Sequence, residues 1–313
     1  MKKLPYSTPI LMSIRRRTSS FNGLIISYIL LVIQLVFSKM FGDRTEVIRV
    51  AITSYIAINN NQKEKFNSME IKIKRIGMWA CPRCLSTVMM RSWGNRLDTF
   101  IQDEPLYPHY RLCSGRKDPG MDEVLNNYET DWVKIVEQLT TGLIPDGKSI
   151  YYQKFMVYRL LPHIDLNWIT KLTNCFLIRE PQDMLLSYLK LWPNPTLETI
   201  GIIRLKQVFE MIRDRTGKIP PVIDARDLQE NPRRILSLLC EAVEVEFADV
   251  MLNWSQGNPT NDSWSKYQWY DTVRNSTEFY PYKPKTDDIP ERFHDILSKY
   301  KEIYRELYEY RLV

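Results

Sequence analysis

Cysteine is scarce in this chain. Its 313 residues include five cysteines, Cys81, Cys84, Cys113, Cys175 and Cys240. Five are too few and too scattered for a disulfide scaffold, and an odd count leaves at least one free thiol, so a reducing compartment is favoured. The C-x-x-C pair at residues 81–84 is compatible with a redox centre or half of a zinc site, but no second Cys/His pair follows at zinc-finger spacing. Packing of a loop is the favoured interpretation.

Most of the chain lacks an excess of charge of either sign. The net charge is +6, but residues 1–68 hold ten of the 43 Lys and Arg residues and three of the 37 Asp and Glu residues. That segment therefore carries +7, and the remainder carries −1. A nearly neutral domain lacks the basic surface that binds polyanions, so we expect no nucleic-acid partner.

The first 68 residues have a composition of their own. Three arginines at residues 15–17 precede the apolar segment 23–37, which reaches the roughly 20 residues of a membrane span only with residues 38–41 added. Two interpretations stay open: an anchor that contacts the membrane through residues 23–41, or an extension upstream of an internal start at Met69. Without an anchor we expect a cytoplasmic protein; with one, the remaining domain lies across the membrane. No cleavage site of a signal peptide is evident.

Residues 69–313 predict a single α/β domain with no internal repeat. Five strand-like runs, within residues 71–79, 98–107, 148–156, 172–180 and 220–228, alternate with helical patterns in residues 130–139, 181–190, 198–216, 233–243 and 290–310. This alternation is typical of a mostly parallel sheet. Residues 253–287 show no clear period and are interpreted as a long, ordered, functional loop.

The segment after the first predicted strand has the pattern of an anion-binding loop. A tight turn over residues 81–84 leads to Ser86 and Thr87, where a helix is predicted to begin. Such a loop points backbone N–H groups and the positive end of the helix dipole at its ligand, and Arg83 adds a charge. The simpler alternative is a helix cap beside a solvated arginine. Because G-x-x-x-x-G-K-[ST] is absent, hydrolysis of ATP or GTP is poorly supported, and a phosphate or sulfate ester is expected.

Ionisable residues also end three later strands. Glu104, Lys154 and Arg179 each follow a different predicted strand. Ligands bind beyond the carboxyl ends of parallel strands, so we expect these side chains near Arg83 in one crevice. Ser187 lies roughly two helical turns after Arg179 and could grip a second phosphate with it. Simpler roles stay open: a turn carboxylate for Glu104, a solvated Lys154, and a surface ion pair for Arg179.

Together these residues resemble the sulfotransferase family, enzymes of P-loop fold that use 3′-phosphoadenosine 5′-phosphosulfate as donor. The family's 5′-phosphosulfate loop, P-[KR]-S-G-T-T, is similar to residues 82–87, and its 3′-phosphate element is similar to Arg179 and Ser187. Residues 222–247 resemble a later strand and helix of the family. The resemblance covers about residues 73–250 and is closest in style to bacterial sulfotransferase-like proteins and, more distantly, to the tyrosylprotein branch. It implies an α/β, P-loop NTPase-like three-layer fold with a central, mostly parallel sheet.

The resemblance also implies roles for individual residues. Glu104, 21 residues after Arg83, matches the general base of the tyrosylprotein branch, and Lys154 matches a lysine after the third strand. The implied reaction is in-line transfer of a sulfuryl group to a hydroxyl or amine, with Arg83, Lys154 and loop N–H groups stabilising charge and no metal required. The implied donor-binding residues are Arg83, Cys84, Leu85, Ser86, Thr87, Arg179 and Ser187.

The chain departs from the family pattern in its loop. Cys84 and Leu85 replace Ser and Gly, and Leu adopts positive φ less readily than Gly, so we expect an altered loop conformation. The third donor-binding element has no clear counterpart, and the candidates for it are Lys266, Arg274 and Lys283.

Three functions therefore stay open. The residues favour a sulfotransferase that uses 3′-phosphoadenosine 5′-phosphosulfate. A non-catalytic nucleotide- or phosphate-binding module of the same fold is the alternative, and a P-loop kinase is a weaker one. His109 and His163 lie among aromatic or apolar residues and are interpreted as packed or surface side chains, so no metal site is predicted.

Overall fold

A computed structural model describes residues 72–115, 121–145, 147–257 and 271–313. The N-terminal segment 1–68, with the candidate anchor at 23–41, lies outside these ranges, and so does Lys266. The predicted domain boundary at residue 69 therefore stays a prediction. Every helix within the described ranges is too short or too polar to cross a bilayer.

A sheet of five parallel strands forms the centre of the fold. The strands are β1 (Lys74–Ala80), β2 (Thr99–Asp103), β3 (Ile150–Met156), β4 (Thr173–Ile178) and β5 (Val222–Asp224), in the order β2-β3-β1-β4-β5. Every residue of β3 is buried, as expected when helices cover both faces of a parallel sheet. The predicted α/β class and all five predicted strands are confirmed.

Helices flank this sheet. Those that the described ranges contain are α1 (Ser86–Gly94), α2 (Tyr107–Ser114), α3 (Met121–Asn127), α4 (Trp132–Thr140), α5 (Pro181–Leu189), α6 (Leu197–Ile200), α7 (Ile202–Thr216), α8 (Ala225–Glu230), α9 (Pro232–Ala242), α10 (Asp271–Arg274) and α11 (His294–Tyr308). Local sequence explains several helix starts. Pro181 opens α5, where Glu180 accepts a hydrogen bond from the Asp183 N–H, and Asp224 caps α8 in the same way.

Aromatic side chains fill the core beside β1. The Trp79 ring stacks on Phe155 of β3 with ring centroids 4.2 Å apart, and Trp168 lies 6.0 Å from Trp79. The Trp79 indole N–H donates a 2.8 Å hydrogen bond to the Asn174 side chain on β4. This buried polar group is therefore satisfied, and it ties three strands together at the centre of the sheet.

Two predictions differ from the structure. Lys154 lies within β3, two residues before its end, rather than after the strand. The helix predicted over residues 198–216 is divided into α6 and α7 at Gly201, whose φ is 79°. The apolar period continues across this break, so the pattern could not reveal it.

Gly201 also lies against the segment that follows β3. A Cβ at this position would lie 2.9 Å from Val157 Cγ1 and 3.1 Å from the backbone N of Tyr158. The residue therefore needs both a left-handed backbone and the absence of a side chain.

We predict that Gly201→Ala destabilises the domain more than Gly217→Ala. Gly217 has φ 66°, and a Cβ added to it would meet no atom within 4 Å, so its change carries only the left-handed penalty of about 1–2 kcal/mol. Overpacking should add about 1–3 kcal/mol at Gly201. Urea denaturation of both variants measures the difference, and equal losses would contradict the packing explanation.

Candidate active site

The loop between β1 and α1 has an unusual backbone. Arg83 has φ 64° and Leu85 has φ 66°, both in the left-handed region. Leu85 is the residue before the first turn of α1, and its side chain provides no capping hydrogen bond to that turn. The sequence predicts that leucine alters the loop because it resists positive φ; the structure shows instead that Leu85 adopts positive φ. This conformation costs about 1–2 kcal/mol for a residue with a side chain.

The two cysteines of the loop pack into the core of the domain. Cys81 and Cys84 are fully buried, and the Cys84 sulfur lies 3.7 Å from the Tyr300 hydroxyl of α11. Burial raises the pKa of Cys84 to about 11 and raises the pKa of Cys81 well above its ordinary value. Protonated, buried thiols are poor redox groups, so the geometry fits the packing interpretation.

The structure brings Arg179 and Ser187 to this loop. Arg179 follows β4 and donates a 2.8 Å hydrogen bond to the Arg83 carbonyl, while the Arg83 Nε donates a 3.1 Å bond to the Ser187 hydroxyl of α5. Arg179 therefore binds the loop backbone rather than forming a surface ion pair. Burial and then the charge of Arg179 lower the pKa of Arg83. An anion between these two guanidinium groups would offset their repulsion.

Lys285 is a third cation, near Arg83 and Arg179, that the sequence pattern does not reveal. Its ammonium donates a 2.9 Å hydrogen bond to the Asp183 carbonyl of α5. Burial, followed by the charge of Arg179, lowers the pKa of Lys285 to about 8. Of the three candidates for a further basic element, Lys266, Arg274 and Lys283, the last is two residues from Lys285, and its side chain is exposed.

Two clefts open on opposite sides of the loop. The cleft on the β4 side is lined by Arg83, Leu85, Ser86, Thr87, Val88, Arg179, Gln229, Val273, Ser276, Glu278, Phe279 and Tyr280. The cleft on the β3 side is lined by Pro82, Arg83, Ser86, Thr87, Glu104, Tyr107, Tyr110, Arg111, Lys154, Met156, Tyr158, Arg159, Tyr188, Trp192 and Thr199. Both clefts share Arg83, Ser86 and Thr87, so the loop is a wall common to both. Ser187 is buried behind Arg83.

Lys154 connects the loop to two carboxylates. Its ammonium lies 2.7 Å from Asp103 Oδ1 and 2.8 Å from Glu104 Oε1, and it donates a 3.3 Å hydrogen bond to the Thr87 hydroxyl. All three charged side chains are nearly inaccessible to solvent. Arg159, in the turn after β3, forms an ion pair with the second oxygen of Glu104. Both oxygens of the Glu104 carboxylate therefore contact a cation.

Aromatic rings line the rest of the β3-side cleft. Tyr110 and Tyr158 meet edge to face with centroids 5.5 Å apart, and Tyr188 lies 4.9 Å from Trp192. The Arg159 guanidinium lies 4.1 Å from the centre of the Tyr107 ring. The cleft therefore combines flat apolar surfaces with a cation, above the carboxylate of Glu104.

The structure is thus an α/β fold with a basic loop at the carboxyl edge of its parallel sheet and with two clefts that share this loop. The chain belongs to the sulfotransferase domain family, which matches residues 74–305. The family resemblance predicted from residues 82–87, Arg179 and Ser187 is thereby confirmed.

Two curated relatives come from Arabidopsis thaliana. The branched-chain-amino-acid aminotransferase-like proteins 1 and 2 are 33% and 30% identical over 233 residues, which is 74% of this chain. The match spans 41% of each relative, less than half of its length. Among solved structures, a sulfotransferase from Alicyclobacillus acidocaldarius is 13% identical with a TM-score of 0.44, over 77% of this chain and 97% of that one.

We predict that the anion affinity of the loop depends on Lys285 protonation. Because its pKa is about 8, Lys285 loses its charge as pH rises through that value, and inorganic sulfate should then bind more weakly, by at most about tenfold per pH unit. Calorimetric titration between pH 6.5 and 9.5 measures this.

Lys285→Arg keeps its charge across this pH range, so its sulfate affinity should stay high at every pH. Lys285→Met has no charge at this position, so its sulfate affinity should stay low at every pH. A wild-type profile retained in Lys285→Met would show that another group is responsible.

Proposed function

We propose that this protein is a sulfotransferase that moves a sulfuryl group from 3′-phosphoadenosine 5′-phosphosulfate to a hydroxyl or amine acceptor. The observation that carries the proposal is the loop shared by two clefts, one lined by Arg179 and the other by the buried carboxylate of Glu104. A donor in one cleft and an acceptor in the other would meet at Arg83, Ser86 and Thr87.

The β4-side cleft is the proposed donor site. Backbone N–H groups of residues 83–87 and the start of α1 would bind the 5′-phosphosulfate, with hydroxyls from Ser86 and Thr87. Cys84 is buried, so it would contribute through its backbone. Arg179 would bind the 3′-phosphate, and Ser187 would join it once the Arg83 side chain moves off the Ser187 hydroxyl. Lys285, whose charge interacts with those of Arg179 and Arg83, would add a third cation to this site.

The β3-side cleft is the proposed acceptor site. Glu104 would take the proton of the acceptor hydroxyl as its oxygen attacks sulfur, while the bond from sulfur to the 5′-phosphate oxygen breaks. Lys154 lies between Glu104 and Thr87 and would stabilise charge on the transferred group and on the departing oxygen, together with Arg83. These residues supply positioning and charge, so the proposed transfer step uses no metal ion.

The lining of this cleft favours an aromatic acceptor. Five aromatic side chains line this cleft together with Glu104, and four of them form ring pairs at stacking distances. A phenol could stack there with its hydroxyl directed at the carboxylate.

A binding module remains the second candidate, because Glu104 already contacts two cations, Lys154 and Arg159. These ion pairs engage both oxygens of Glu104, so an oxygen that faces an acceptor hydroxyl has to leave one of them. If they persist when an acceptor is bound, the protein would hold its nucleotide without transferring sulfate.

Thermal unfolding separates the nucleotide classes. We expect adenosine 3′,5′-bisphosphate to raise the melting temperature of the full chain, and ATP to have little effect. Arg179→Ala should lower the affinity for the bisphosphate about 10- to 100-fold, because a charge-assisted contact is lost. The affinity for adenosine 5′-phosphate should change much less. Arg305→Ala on the exposed face of α11 is the control.

Stabilisation by ATP alone would instead support a kinase. Equal weakening of both adenosine nucleotides by Arg179→Ala would remove its assignment to the 3′-phosphate.

Sulfate transfer to phenols tests the catalytic proposal. Glu104→Gln should lower kcat about 10²- to 10⁴-fold while the affinity for adenosine 3′,5′-bisphosphate is retained, because the amide cannot accept the proton. Glu302→Gln, an exposed change on α11, should transfer at the wild-type rate. Labelled donor and a panel of phenols and aliphatic alcohols provide the measurement. Nucleotide binding without transfer to any acceptor would favour the binding module, and full activity of Glu104→Gln would show that another group is the base.

A further inference from the structure

Two histidines and a cysteine meet at the outer end of α2. The Nε2 atoms of His109 and His163 are 2.8 Å apart, and Cys113 Sγ lies 3.6 Å from His109 Nε2. The three ligand atoms all lie within 4.8 Å of one another. His109 and Cys113 are four residues apart and share one face of α2, while His163 comes from the segment that follows β3.

The composition of the chain makes this meeting notable. The protein has three histidines and five cysteines. The cluster gathers two of those histidines with Cys113, the exposed cysteine; the other four cysteines are buried. The residues outside the described ranges contain neither cysteine nor histidine.

A backbone carbonyl fixes the orientation of the central imidazole. His109 Nδ1 lies 2.8 Å from the Thr130 carbonyl oxygen. A carbonyl can only accept, so Nδ1 carries the hydrogen, and a neutral His109 presents a lone pair at Nε2, toward His163 and Cys113. Metal-ligating histidines are commonly held by this second contact.

We propose that His109, Cys113 and His163 form a Zn²⁺ site that is separate from the transfer site. At zinc bond lengths and tetrahedral angles, a nitrogen and a sulfur ligand lie roughly 3.6 Å apart, and two nitrogens lie roughly 3.4 Å apart. The 3.6 Å between Cys113 Sγ and His109 Nε2 already matches the nitrogen–sulfur value. The imidazoles need to separate by about half an ångström, which the exposed His163 allows. Three protein ligands leave a fourth position for water.

Such a site would join the two segments that form one side of the β3-side cleft. Tyr107, Tyr110 and Arg111 line the cleft from α2, and Tyr158 and Arg159 line it from the segment after β3. A zinc ion bound by residues from both segments would restrict their separation. The zinc site itself rests on the cluster and not on the proposed transfer reaction.

Metal titration of the chelator-treated, untagged full chain tests the proposal. We expect one equivalent of Zn²⁺ to bind and to raise the melting temperature. One equivalent of Co²⁺, used as a spectroscopic probe, should give the visible bands of tetrahedral cobalt and a thiolate-to-cobalt charge-transfer band. Cys113→Ala should abolish the charge-transfer band. His163→Ala should lower the affinity for Zn²⁺ by at least about 10- to 100-fold.

Both substitutions fall at exposed positions, so the fold should survive them. His294→Gln, which changes the histidine outside the cluster, should leave affinity and spectra unchanged. Absence of one-equivalent Zn²⁺ binding, a cobalt spectrum without thiolate character, or unchanged affinity in both variants would each overturn the site and leave His109 and His163 as a hydrogen-bonded pair.

Discussion

The arrangement of the site depends on the ion pairs of Lys154. A charged lysine only 1% exposed would be strongly destabilising without partners, and here Asp103 and Glu104 compensate the Lys154 ammonium at 2.7 and 2.8 Å. The contacts require sheet register, because Lys154 lies opposite Asp103 on β2 and opposite Met78 on β1. A shift of one residue would turn the lysine to the other face of the sheet. The same ammonium donates a hydrogen bond to Thr87. One side chain therefore contacts the neighbouring strand, the loop and the carboxylate of Glu104.

Much of this could be predicted from sequence because buried parallel strands have a local signature. Buried apolar runs located β1 to β5, and polar residues at their ends identified Arg83, Glu104 and Arg179. The short helix α2 escaped prediction since its buried residues include Pro108, His109 and Arg111 rather than a regular apolar stripe. Contacts between distant residues were equally hidden. Lys285 meets a residue 102 positions away, and no spacing rule distinguishes it from Lys283.

Family membership and the names of the relatives carry different information. The sulfotransferase domain matches residues 74–305, so it accounts for nearly all of the described fold. The curated relatives are named for their likeness to an aminotransferase, but this chain matches 41% of their length. Their names therefore describe proteins that are much longer than the region shared with this chain.

The position of Arg83 has a thermodynamic consequence. Its guanidinium borders both clefts and bonds Ser187, so a ligand that draws it away from Ser187 reshapes the wall facing the other ligand. Binding free energies on the two sides are then coupled, and the coupling is reciprocal: whatever one ligand gains from the presence of the other, the second gains equally from the first. A ligand that stays bound to Arg83 would likewise hinder the return of Arg83 to its contact with Ser187. Whichever cleft fills first, the coupling between the two ligands would pass through this one side chain.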